Sequence, residues 1–278
     1  MIKTIGIVAT LLASTTAALL MSATARAGTI ASGVLLVGSD QTYPPYDYVD
    51  GDNKPAGFDV EFMTAIAKAA GLTAKFLDSR FENLIIGVGG DKFDVIASTL
   101  YVKPARAQQI DFIPYMKTGV SIAVSANAKR KPVSPEDLCG LKVSSIKSAA
   151  WIANLQEVSQ TTCATKGLGQ IDVREFPTSP EATQAVLSGG VDAQMEDSAV
   201  LKQAVTATNG KIVISSTSTL YPVIVGLGFK KGNADVKKTV TDAFEKIKAN
   251  GEYDALLAKY NVSGATDGEF KQAVSGTN

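Results

Sequence analysis

The sequence predicts an α/β protein built as two similar units, and three observations carry that prediction. From Val34 to Ser98, short apolar runs suited to buried strands alternate with stretches of helical period. A polar segment, Asn127-Ala-Lys-Arg-Lys-Pro132, then interrupts the alternation. Beyond it the same pattern starts again at Ser134.

The elements follow in order. Val34-Leu-Leu-Val-Gly38 reads as a buried strand. Asp59 suits a helix cap ahead of Val60, Met63, Ile66, Ala67 and Ala70, which keep helical spacing, and Gly71 suits the stop. A strand over Thr73–Leu77, a helix over Glu82–Val88 closed by Gly89-Gly90, and a strand over Phe93–Ser98 complete the first unit. In the second, Ser134-Pro135-Glu136-Asp137 places an N-cap serine before a proline and first-turn acids. Leu141–Ile146 and Val191–Met195 read as strands, with a helix opened by Ser179-Pro180-Glu181 between them. A strand over Val223–Phe229 and helices near Asp235–Asn250 and Tyr253–Tyr260 follow, and the Gly/Ser/Thr-rich tail after Val262 reads as frayed. Open α/β sheets bind ligands beyond the carboxyl ends of their strands, and Arg106, Lys147 and Asp197 each come shortly after such an end.

Composition narrows the function classes. With 278 residues, 45% apolar and 19% charged, the chain can bury a substantial core. Its 27 basic and 27 acidic side chains cancel, which argues against a nucleic-acid or anionic-membrane partner. There is no His, the commonest metal ligand and general base, so no metal and no cofactor are expected. Any catalysis would rest on carboxylates, Lys, Tyr or Cys.

The N-terminus reads as a cleaved export signal. Lys3 gives a positive start, Ile5–Leu20 is apolar, and Ala25-Arg-Ala27 supplies the small-x-small pattern before Gly28. No Cys sits at the cleavage point, so a lipid anchor is not indicated. Removing residues 1–27 leaves 25 basic against 27 acidic groups. In an oxidising compartment a Cys139–Cys163 bridge is the default, with two buried free thiols as the alternative.

Val34-Leu-Leu-Val-Gly-Ser-Asp-Gln-Thr-Tyr-Pro-Pro-Tyr46, Gly57-Phe-Asp59, Phe93-Asp-Val-Ile-Ala97, Arg106 with Ile110-Asp-Phe112, and Gly251-Glu-Tyr-Asp254 occur in one order. As a set they resemble the polar amino-acid-binding proteins of bacterial ABC transporters, solute-binding protein family 3. The resemblance covers about residues 29–262. It implies a two-lobed α/β fold of the type II periplasmic-binding-protein class, with a hinge of two crossing strands and a ligand cleft between the lobes. The implied organisation is a signal peptide at 1–27, a first lobe over 28–124 with a return segment at 222–262, a second lobe over 125–221, and a flexible tail at 263–278.

The resemblance also assigns roles. Arg106 matches the arginine that forks onto a ligand α-carboxylate, and Asp197 the carboxylate that receives the α-ammonium. Asp40 matches a second acidic position, Tyr43 and Phe81 the rings that sandwich the ligand side chain, and Lys147 a basic residue facing the ligand or the other lobe. Each has a plainer reading: an Arg106–Asp111 surface pair, N-capping by Asp197, strand-end capping by Asp40, and turn or core packing by Tyr43 and Phe81. Two departures stand out. Lys103 replaces the family's usual Thr, and Ser148-Ala149-Ala150-Trp151 replaces Ser-Gly-Thr, putting Trp151 near the cleft mouth.

The function expected on this basis is a monomeric periplasmic binding protein without enzyme activity. It would close on an amino-acid-like zwitterion and deliver it to a membrane ABC permease. The rival is an exported enzyme on the same scaffold, similar to a cyclohexadienyl dehydratase, with Glu196 or Asp197 as acid. A receptor's sensory domain is disfavoured, because no membrane span or signalling module is read after residue 262.

Overall fold

The computed structural model describes Met1 and residues 28–276; apart from Met1, the predicted signal segment lies outside the described residues. Two long strands, Ile110–Ser125 and Leu220–Lys230, organise the fold. They run antiparallel to each other from Ile110 to Val120. On one flank, Leu220–Lys230 joins Val95–Ile96, which continues to Val34–Ser39 and then Thr73–Asp78, the last three mutually parallel. At its far end Ile110–Ser125 turns to other partners, pairing Ala193–Asp197 and Ile212–Ile214. Lys142–Ile146 and Asp172–Phe176 extend that second side in parallel. The result is two α/β lobes joined through a pair of crossing strands, with the parallel strand ends of both sides facing a common cleft.

The first lobe is set by aromatic packing. Helix Phe58–Ala69 buries Phe58, Phe62, Met63 and Ile66 completely. Phe62 stacks on Tyr115 at 5.0 Å and meets Phe244 edge-on at 5.1 Å, which docks helix Ala234–Ala249 against it. Such ring pairs contribute about 0.5–1.5 kcal/mol each beyond their area burial. Asp59 does not cap this helix. Gly57 stands at the cap, and Asp59 turns inward to accept hydrogen bonds from Thr99 N (2.8 Å) and the Tyr115 hydroxyl (2.7 Å). Gly57 has φ 116°, and a Cβ there would collide with the Tyr46 carbonyl. The glycine thus lets the Tyr43–Tyr46 hairpin press against the helix start.

Most expected elements form, with three differences. The strand expected over Phe93–Ser98 is confined to Val95–Ile96. Asp94 spends its carboxylate on Ile30 N and Leu36 N, and Thr99 has φ 46°, so the chain leaves the sheet on both sides. The helix expected at Ser134 is the short 3₁₀ turn Pro135–Leu138, although Ser134 and Asp137 do form a reciprocal capping box. The tail beyond Val262, expected to fray, holds a helix at Asp267–Ser275. Thr266 caps it reciprocally with Glu269, Ala273 is buried, and Lys117 pairs with Glu269 at 2.9 Å. Cys139 and Cys163 form a disulfide with Cα atoms 5.4 Å apart, tying the end of that 3₁₀ turn to the turn after helix Ile152–Val158.

Candidate functional site

The opposed charges of the cleft come from opposite lobes. Pro104, at the first position of the short helix Pro104–Ala107, fixes the turn that carries Arg106 beyond the Val95–Ile96 strand. Arg106 donates Nη1 to the Tyr101 carbonyl (3.0 Å) and Nη2 to the Ser148 carbonyl across the cleft (3.0 Å). Its guanidinium carbon lies 5.4 Å from the centre of the Phe81 ring. Among the described residues Arg106 forms no ion pair, with Asp111 or any other acid; Asp111 pairs with Lys231 instead. Burial draws the guanidinium down to about 10, and it remains charged at neutral pH.

Asp197 ends strand Ala193–Asp197 and caps helix Ser198–Ala207, accepting from Ala199 N (2.9 Å) and Val200 N (3.4 Å) through Oδ1. The capping reading and the cleft reading therefore apply to the same carboxylate. Tyr46 donates its hydroxyl to Oδ1 at 3.2 Å, while Tyr101 (2.9 Å) and Thr118 (2.7 Å) donate to Oδ2. Burial raises the acid's affinity for a proton, and these hydroxyl and amide donors oppose the rise. Beside it, the fully buried Glu196 accepts the Tyr43 hydroxyl at 2.6 Å on Oε1, and among the described residues its Oε2 accepts no hydrogen bond. Burial pushes the Glu196 carboxyl up to about 7.

The other predicted residues separate into those that join this cluster and those that do not. Tyr43 and Phe81 both join it, Tyr43 through Glu196 and Phe81 through Arg106. Trp151 is buried against Tyr101, with ring centres 5.5 Å apart, and donates Nε1 to Ser145 Oγ at 2.9 Å. It is buried where the two lobes meet, against Tyr101 of the first. Lys147 is exposed and pairs with Glu82 of the facing lobe at 2.6 Å, which raises its pKa. Asp40 ties two strand-end loops together: it accepts from Thr42 N and Thr42 Oγ1 in its own loop and from Phe81 N in the loop after Thr73–Asp78, and pairs there with Arg80 at 2.9 Å. Its geometry is that of a strand-end cap which also positions Phe81. Lys103, half-buried, is the cap residue of Pro104–Ala107.

Sequence reasoning missed Tyr46, Tyr101 and Thr118, the three hydroxyls on Asp197. Tyr46 lay within a quoted motif and Tyr101 within the turn before Arg106, but neither spacing nor pattern marks a phenol that reaches a partner 151 or 96 residues away.

A guanidinium facing a carboxylate across a cleft walled by rings can hold the two ends of a small zwitterion. Known proteins resemble this chain over most of its length. Residues 35–263 match the model for bacterial extracellular solute-binding proteins, family 3. The L-cystine-binding protein TcyJ of Escherichia coli K12 is 27% identical over 229 residues, 82% of each chain. The arginine-binding protein ArgT of Corynebacterium glutamicum is 25% identical over 83% of this chain and 75% of its own. Among solved structures, an ancestral arginine-binding protein bound to glutamine superposes with a TM-score of 0.75 at 29% identity, over 83% of this chain and 98% of that one. Two lobes on crossing strands, the ordered motifs and a family match running almost from the first strand to the tail lead to one assignment: this chain belongs to family 3 of the bacterial extracellular solute-binding proteins.

Proposed function

We infer that this chain is the amino-acid-binding component of an ABC transporter, acting outside the cytoplasm and monomeric, and that it passes its ligand to a membrane permease. Residues 28–124 and 222–262 serve as one lobe and 125–221 as the other. The observation that carries this reading is the link of Arg106 and Asp197, one from each lobe, through Tyr101, with Phe81 against the guanidinium and Tyr43 on the neighbouring Glu196. A planar guanidinium suits bidentate capture of an α-carboxylate, and a buried carboxylate suits an α-ammonium. Closure brings the two poles to the ligand together and excludes water, so each contact strengthens as the lobes meet. The relatives named above are named for what they bind, which favours a binding role over the dehydratase alternative.

Lys147 and Trp151 support the closed lobes rather than the ligand: Lys147 reaches Glu82 across the cleft, and Trp151 backs Tyr101. Calorimetric titration with L-arginine, L-cystine, L-histidine and L-glutamine tests the reading directly, with mass spectrometry of any solute that co-purifies. Failure to bind any amino acid, with a non-amino-acid solute recovered instead, defeats it.

A further inference from the structure

Tyr101 touches both charged poles at once. Its carbonyl accepts from Arg106 Nη1 at 3.0 Å and its hydroxyl donates to Asp197 Oδ2 at 2.9 Å. The residue is almost fully buried, with its ring against Trp151. Burial and the neighbouring acids push the phenol well above its ordinary range, so it stays neutral and can serve Asp197 as a donor.

The carboxylate it meets is already crowded. An ionised Asp offers about four lone-pair sites, and Asp197 takes Tyr46, Ala199 N and Val200 N on Oδ1 with Tyr101 and Thr118 on Oδ2. A solute that reaches Asp197 must displace one of them. The two amides belong to the helix start, and Thr118 lies on a crossing strand. Tyr46 is pinned by its backbone, which bonds Tyr43 O and Asp59 N. Tyr101 alone reaches Asp197 from the turn that carries Arg106, on a side chain whose departure leaves its own carbonyl on Arg106 intact.

We propose that Tyr101 is a specificity-determining residue: its phenol is an internal competitor for Asp197, joins the two lobes through that bond, and yields to a solute carrying a cationic N–H group. A neutral hydroxyl offers Asp197 nothing the phenol does not already give. An ammonium or amidinium offers a charge-assisted bond roughly twice as strong. The proposal rests on the amino-acid reading above for the nature of the displacing solute, whereas the lobe-joining role does not depend on it.

The test is Tyr101→Phe, which keeps the ring against Trp151 and removes only the donor. Two readouts are needed. Small-angle scattering of solute-free protein should show a larger radius of gyration in Y101F than in the wild type, because one lobe-crossing bond is gone. Calorimetry with L-arginine, L-cystine, L-histidine and L-glutamine should show Y101F binding the accepted amino acids about fivefold more tightly, the equivalent of one net hydrogen bond no longer displaced. An unchanged scattering curve overturns the proposal whatever the affinities do. Weaker binding by a folded Y101F also overturns it, since the phenol would then be a ligand contact. If the wild type binds none of the four amino acids, the functional reading is what fails, and scattering still decides the role of Tyr101.

Discussion

Tyr43 donates its hydroxyl to Glu196 Oε1 at 2.6 Å, a bond between residues 153 apart that crosses from the first lobe to the second. Four further contacts run parallel to it: Tyr46 and Tyr101 to Asp197, Arg106 to the Ser148 carbonyl, and Lys147 to Glu82. The three tyrosine-to-carboxylate bonds lie in a buried seam, where low dielectric makes them count, whereas Arg106 to Ser148 is exposed. The Lys147–Glu82 pair is more exposed and contributes little by comparison. The contacts between the two lobes are thus made by a few polar side chains, most of them from the candidate site.

Arg106 is the first of them to test. Arg106→Ala should weaken binding of the accepted amino acid by several kcal/mol, because a buried carboxylate would lose its paired cation. Arg106→Lys should recover only part, since an ammonium cannot fork onto both oxygens or reach both the Tyr101 and Ser148 carbonyls. Titration calorimetry measures the affinities, and a melting curve checks that the fold survives. Near-native affinity in the alanine variant would remove Arg106 from the carboxylate site.

The disulfide should matter to stability and little to affinity. Cys139 and Cys163 are both buried, 24 residues apart, and neither appears among the cleft contacts. Closing a loop of that length stabilises by about 3 kcal/mol on the chain-entropy model. Replacing both by Ser should lower the melting temperature markedly and leave the dissociation constant nearly unchanged. Mapping that finds two free thiols in the exported protein would contradict the bridge.

A buried acid pair in the first lobe makes a separate prediction. Asp47 is fully buried, among the described residues neither of its oxygens accepts a hydrogen bond, and burial together with the Asp59 charge pushes its pKa well up. Asp59 keeps its charge more easily, because Tyr115 and Thr99 donate to it. The proton thus resides on Asp47. A group whose folded pKa is raised contributes stability that is complete at low pH and is lost as pH rises towards the folded value. Asp47→Asn mimics the protonated form and should flatten that alkaline loss. Asp59→Asn puts an NH₂ against donors and should destabilise by about 1–3 kcal/mol. Melts across the pH range distinguish the two; equal pH profiles for Asp47→Asn and wild type would place the proton elsewhere.

How far the sequence reaches is visible in these same residues. Apolar runs such as Val34–Ser39 and helical spacing such as Val60–Ile66 are local, so the elements were legible, as was the pairing of two cysteines once an oxidising compartment is expected. The ordered motifs pointed to Arg106 and Asp197 as candidates, and the fold links both through Tyr101. Asp59 misled because an acid at a helix start looks like a cap, and only the packed structure reveals Tyr115 and Thr99 waiting for it. The tail helix was hidden because Gly, Ser and Thr read as coil, while its stability comes from the Thr266–Glu269 box and contact with Lys117. The phenols on Glu196 and Asp197 could not be read at all. A tyrosine's partner is set by tertiary placement, and its local sequence carries the same signal whether it packs or donates.

Glu196 should make lobe closure depend on pH. In the closed protein its carboxyl titrates at about 7, raised mainly by burial, with Asp197 adding to the rise while the Tyr43 hydroxyl and the Asp197 amide oppose it. In an opened cleft the group would meet water and return towards the usual carboxylate range, near 4.3 for a model Glu, as about the value expected there. Closure then takes up a proton at pH values between the two. The contribution of Glu196 to closure is complete below the open-state value, falls by at most about tenfold per pH unit as pH rises, and levels off once pH exceeds the closed-state value of about 7. Asp197 titrates beside it and works the other way, since its protonation at low pH removes the anion that a ligand ammonium seeks. Glu196→Gln separates the two, because it keeps an oxygen for Tyr43 and carries no titrating charge. Affinity measured by calorimetry across the pH range should fall towards neutrality in the wild type and lose that component in E196Q. Superimposable profiles for the two proteins would mean that Glu196 stays in one protonation state through closure, and that the Tyr43 bond acts as a fixed latch.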